Sequence, residues 1–449
     1  MKKLISLFLV LMMVLPCVAA LAEIPAEGYD GSAVTINFYH IINKENQLEV
    51  LNNAIAEFNK EYPNITINAE NAGSYNDILK RISEEINGGN QPNITFCYAD
   101  HVAEYNKAGA VQTLDELISH PVVGLTDEQK ADFVEGYYNE GRSFGDDLMY
   151  TLPFYKSTEV LYYDKTFFDA NGLTVPTTWD EVEDVCAKIK AIDEKSIPLG
   201  YDSEGNWFIT MTEQYGSDYT SANEPHYLFD NDTNKAFIKK FNEWYQKGYV
   251  TTAGLYGAYT SGLFTSTDET RCYMCIGSSA GATYQRPKKD EATGEYPFEV
   301  GIATIPQVDP ANRKVISQGP SVCIFKKDNP QEVLASWLFV KYLTTDTTFQ
   351  ANFGMQSGYM PAIKSVLDNA DFQAYLAKAD GGDNIAMLSM KVGMDQTDAY
   401  YTSPVFEGSA VARNQVTALM TKCLGLTDNV DAEIDRAFQD AIDECEYAN

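Results

Sequence analysis

Apolar positions along the chain switch between two rhythms. Residues 33–40 (AVTINFYH) alternate with period two, as a half-buried strand does. Leu48, Leu51, Ile55, Phe58 and Tyr62 then recur at helical spacing until Pro63 stops them. Residues 64–69 read as a second strand. A helix follows from Tyr75 with Ile78, Leu79, Ile82 and Ile86 on one face, closed by Gly88-Gly89, and residues 93–98 read as a third strand. This strand–helix alternation predicts an α/β lobe with a parallel sheet. Ligands of such sheets sit beyond the carboxyl ends of the strands, which places Tyr39, His40 and Asp100 at a cleft edge.

The stretch from Tyr150 to Ile192 holds three further elements. Residues 153–163 are rich in Val, Leu and Tyr and predict an extended strand. Asp169-Ala-Asn-Gly172 is turn chemistry, with Gly172 suited to a positive φ. Thr178-Trp-Asp-Glu181 is a capping box that opens a helix with Val182, Val185, Cys186, Ile189 and Ile192 on one face. Downstream, residues 233–247 predict a helix and 271–276 a strand feeding the Gly277-Ser278-Ser279-Ala280-Gly281 loop. Asn329-Pro330 caps another helix, and residues 408–443 read as two tail helices.

Composition narrows the class. Met1–Ala22 carries two lysines, an apolar run and Ala20-Leu-Ala22, the pattern of a secretory signal cleaved near Ala22. Cys17 follows Pro16 rather than the small residue that a lipidation box requires. The formal net charge of −31 opposes nucleic acid and anionic membranes as partners. Cys272 and Cys275 form CxxC, but no second pair lies near and the four histidines are scattered, so a metal or cofactor is not expected. Tyr (29) and Phe (22) far exceed Trp (4), which supplies side chains with an apolar face and a hydroxyl, suited to sugar rings and polyols.

The order of residues in 153–181, P…ST.VLYYDK..FDANGL..P.TWDE, closely resembles the hinge segment of extracellular solute-binding proteins of ABC importers, the carbohydrate-type family. That resemblance implies a two-lobed α/β fold with discontinuous lobes joined by crossings. Residues 30–159 and 304–343 would form one lobe, and 160–303 and 344–449 the other. Phe298–Pro306 resembles the second crossing and Leu343-Thr-Thr-Asp346 the third. It also implies a monomer that captures a small polar solute and passes it to a membrane ABC permease, without catalysis.

Short segments over nearly the whole mature chain resemble the glycerol-3-phosphate-binding branch. They imply ligand contacts at Tyr75, at Ser157 and Thr158 of the crossing, at Trp207, at Ser278 and Ser279, at the Gly319 turn, at Tyr359 and at Arg413. The branch's glutamate falls on Ala99 here, with Asp100 one place on. This departure favours a mono- or oligosaccharide, with a phosphorylated polyol second. Two rival classes remain at this stage. Gly277–Gly281 also matches G-x-S-x-G of α/β-hydrolases, though all four histidines precede Ser279 where that fold needs one after it. A surface adhesion or scaffold module is the other.

Overall fold

The computed structural model describes residues 23–448, so the expected signal segment and Cys17 lie outside the described residues. The stretches within 33–98 form where the sequence predicts them, whereas the single strand expected over 153–163 is broken into Leu152–Pro153, Tyr155–Lys156 and Glu159–Asp164, and the one expected at 271–276 runs Met274–Ser278. The strand Val34–His40 is followed by the helix Glu45–Glu61, the strand Ile65–Asn71, the helix Tyr75–Asn87 and the strand Ile94–Cys97. The three strands pair in parallel, Ile65–Asn71 and Ile94–Cys97 flanking Val34–His40. Ser321–Ile324 then joins Ile94–Cys97 antiparallel, with Leu152–Pro153 at the edge. Alternation sends Ile36 and Phe38 to one face, against Trp337 and Phe339, and Tyr39 to the other, against Ile78 and Ile82.

A second five-stranded sheet has the order Val300–Thr304, Glu159–Asp164, Met274–Ser278, Leu199–Tyr201, Val250–Thr252. Its core gathers Trp179, Trp207, Phe237 and Phe241 with the tail helices Ser409–Leu424 and Val430–Ala448. The Thr178–Glu181 capping box closes in both directions, and Gly172 ends its helix at φ 63°. Cys272 and Cys275 are buried free thiols.

Two strands join the sheets, and they lie side by side. Leu152–Pro153 belongs to the first sheet and Glu159–Asp164 to the second, so residues 154–158 cross. The return runs from Thr304 to Ser321. The two passages pair at Ser157 and Gln318, each N–H donating to the other's C=O at 2.8 Å. The expected third crossing at Leu343–Asp346 is not one. Asp346 closes the helix Pro330–Thr345 and its side chain accepts from Phe349 N–H, opening Thr347–Ser357. Phe349, Phe353, Val366 and Phe372 pack in the first core, so residues 344–376 stay there rather than entering the second lobe. The exchange comes later, through the helix Ile385–Met394, which packs on Val300–Thr304 and the Ser279–Gln285 turn.

Candidate functional site

The two cores leave a cavity of about 340 Å³ between them. Its first wall starts beyond the carboxyl end of Ile94–Cys97, with Tyr98 and Asp100, and adds Tyr75 at the start of its helix. Ser317 and Gln318 of the return crossing form the floor, beside Glu140. The facing wall carries Tyr219, Thr220, Ser409 and Arg413. Tyr75 and Tyr98 lie ring to ring at 4.5 Å. Five buried hydroxyl oxygens at this cavity, of Tyr75, Tyr219, Thr220, Ser317 and Ser409, have no hydrogen-bond partner among the described residues. Enclosed polar groups are ordinarily satisfied, so these hydroxyls hold unused hydrogen-bonding capacity in the cavity wall, closed off from solvent in this conformation.

Arg413 is the most informative side chain. The other six arginines each reach a carboxylate, and Arg413 reaches none among the described residues. Its Nη2 donates instead to Asn206 Oδ1. Asn206 Nδ2 in turn donates to Glu159 Oε1 at 2.8 Å, and Tyr201 OH donates to Glu159 Oε2 at 2.6 Å. The guanidinium is therefore oriented through an amide while its charge remains uncapped by a direct ion pair.

Burial pushes the Glu159 carboxyl up from 4.5 to about 7, against the hydrogen bonds from Tyr201 and Asn206 and the positive charge of Arg413, and with Asp202 adding to the rise. Between those two values the folded protein keeps a proton that the unfolded chain releases. Stability therefore falls as pH rises through this window, by about 3 kcal/mol. Glu159→Gln is expected to remove that slope. Urea unfolding of both proteins at about pH 5 and about pH 8 measures it, and an unaltered pH dependence in the variant would refute this assignment.

Of the residues singled out by sequence, Tyr75, Asp100 and Arg413 line the cavity. Tyr359 does not, but it is close enough to Tyr75 and Tyr98 to act on both electrostatically. The remaining seven have other work. Tyr39 lies under Arg81 at 4.1 Å and bonds Arg81 and Glu85, because its strand position faces the helix Tyr75–Asn87 and not the cleft. Trp207 is fully buried and stacks on Tyr201 at 4.8 Å in the second core.

Ser157 pairs with Gln318 as described, and Thr158 Oγ1 donates to Ile316 C=O at 2.8 Å, so both fasten one crossing to the other. Ser278 caps the short Ser279–Gln285 turn. Ser279 Oγ is 1 % exposed as a residue and accepts from Thr158 N–H, and no histidine bonds it among the described residues. That removes the geometric basis of the hydrolase reading. Gly319 has φ 96°, and a Cβ there would stand 2.5 Å from Tyr155 O, so this glycine permits the close approach of the two crossings.

Sequence reasoning missed Tyr98, Glu140, Tyr219, Ser317 and Ser409. Tyr98 was within reach, since it follows directly on a strand end. No local pattern distinguishes the others.

Residues 53–379 match the family described as bacterial extracellular solute-binding protein. The sn-glycerol-3-phosphate-binding periplasmic protein UgpB of Escherichia coli (strain K12) is 24% identical over 374 residues, covering 79% of this chain and 80% of its own. Among solved structures, the cyclic alpha-maltosyl-1,6-maltose binding protein from Arthrobacter globiformis aligns over 93% of this chain and 100% of its own, with TM-score 0.73 and 17% identity. UgpB from Mycobacterium tuberculosis, solved in complex with glycerophosphocholine, aligns over 93% and 98%, with TM-score 0.72 and 17% identity. Two lobes, paired crossings and a cavity between the two cores agree with this likeness, and the chain belongs to the bacterial extracellular solute-binding proteins.

Proposed function

We propose that the protein captures a compact, hydroxyl-rich solute bearing an anionic group, such as a phosphorylated polyol or its diester, and hands it unchanged to a membrane ABC permease. The observation that carries this reading is Arg413, the arginine without a carboxylate, set in a cavity with orphaned hydroxyls. A guanidinium held in this way suits two-point recognition of a phosphate. Each solute hydroxyl leaving water must find a replacement partner, and the unpaired hydroxyls of Tyr75, Tyr219, Thr220, Ser317 and Ser409 in the cavity wall can turn to meet them. The small cavity volume favours a guest of monosaccharide size over a long oligosaccharide. The names of the relatives, which include glycerol 3-phosphate and glycerophosphocholine as ligands, support the anionic class.

A neutral sugar is the second reading. It is favoured by Asp100 and Glu140, carboxylates that suit hydroxyl donors and repel anions. Arg413→Ala separates the two. With a panel of phosphorylated polyols and neutral sugars, the wild type is expected to be stabilised thermally by the phosphorylated members. The variant should bind those about 10- to 100-fold more weakly and neutral sugars unchanged. Equal loss for both kinds, or no thermal shift with any phosphorylated member, would end the anionic reading.

A further inference from the structure

Glu140 ends the short helix Glu135–Glu140 and meets the cavity beside the crossings. Its two oxygens have different surroundings. Oε2 accepts from Lys156 Nζ and from Ser321 Oγ, the latter at 3.2 Å. Oε1 accepts no hydrogen bond among the described residues and is not one of the enclosed orphan atoms, so it is the oxygen left open to the cavity. Lys156 is fully buried in the first crossing. It also donates to Gly319 O at 3.3 Å and to Ser321 Oγ at 3.1 Å, both on the return side. One ammonium thus ties the cavity's acid to both passages between the lobes. One carboxylate oxygen is pinned and the other is presented.

We propose that Glu140 is a specificity-determining residue, whose Oε1 accepts hydrogen bonds from solute hydroxyls at the hinge end of the cavity while Arg413 takes the anionic end. This rests on the capture reading given above and adds to it the group that reads the polyol. An ionised carboxylate only accepts, so it selects guests that donate. Because Lys156 and Ser321 already hold its rotamer, little side-chain freedom is lost when the solute arrives. The Lys156 charge also offsets that of Glu140, so an anionic solute is not turned away from this end.

The test compares sn-glycerol 3-phosphate with propyl phosphate, which keeps the phosphate and lacks the hydroxyls. Titration calorimetry is run on the wild type, on Glu140→Gln and on the charge-neutral Glu140→Gln/Lys156→Met. In Glu140→Gln, Lys156 still requires an oxygen, so the amide nitrogen turns to the cavity and a donor replaces the acceptor. The wild type should prefer the hydroxylated probe by about tenfold or more, and both variants should lose that preference while holding propyl phosphate within about threefold of wild type. If the buried ammonium unfolds the single variant, the double variant gives the reading. An unchanged preference in a folded variant overturns the role of Glu140 and leaves phosphate capture at Arg413 standing. A wild type that binds neither probe overturns both.

Discussion

Lys156→Ala is expected to lower the unfolding free energy by about 3 kcal/mol or more, although the residue touches no solvent. The ammonium is fully buried and donates to Glu140, Gly319 and Ser321. Removing it leaves the Glu140 carboxylate facing Ser321 alone and strands the Gly319 carbonyl at the crossing. Breaking a buried ion pair from one side costs about 3–5 kcal/mol, whereas replacing both partners by neutral groups is often near neutral. Glu140 keeps contact with the cavity, where water can reach it, so the lower end of that range applies. Urea unfolding of the single and double variants measures the difference. If the single variant unfolds at the wild-type midpoint, Lys156 does not hold the hinge as described.

Trp207→Ala is expected to cost about 3–5 kcal/mol of stability, the usual consequence of emptying an aromatic site in a packed core. Trp207 is fully buried, stacks on Tyr201 and meets Phe241 with ring centroids 4.2 Å apart. Its indole N–H has no hydrogen-bond partner among the described residues, so Trp207→Phe should cost much less, since no hydrogen bond is lost. A stacking platform for the solute would behave in the opposite way, losing affinity and sparing stability. The measurement is therefore paired, with unfolding midpoint and solute affinity of the folded fraction taken on the same samples. A stable Trp207→Ala that no longer binds would return Trp207 to the site.

The elements were legible because their causes are local. The capping box at Thr178–Glu181, the helical spacing from Ile78 to Ile82 and the αL glycine at Gly172 each depend on residues within a turn of one another. The expected crossing at Leu343–Asp346 rested on resemblance alone, and it fails because Phe349 and Phe353, just beyond it, are buried in the first core, so the segment is a helix–helix corner.

The site was legible only in part. Tyr75, Asp100 and Arg413 reach the cavity, whereas Trp207, Ser279 and Thr158, equally plausible by type, are spent on packing and on joining the crossings. A hydroxyl that binds a guest and one that binds a neighbouring carbonyl are the same residue in a sequence. Which it becomes depends on what stands opposite.

The chain's own order of residues therefore determined the strands and helices, which follow from short-range spacing and turn chemistry, while the two-lobed class and a crossing in 153–163 were carried by the resemblance to a known family. Tertiary structure alone decided which polar groups go unpaired. Arg413 finds Asn206 across 207 residues and Lys156 finds Ser321 across 165. Those meetings leave the Arg413 guanidinium and the Glu140 carboxylate at the same cavity, because hydrogen bonding is settled by distance in the folded state and not by separation along the chain.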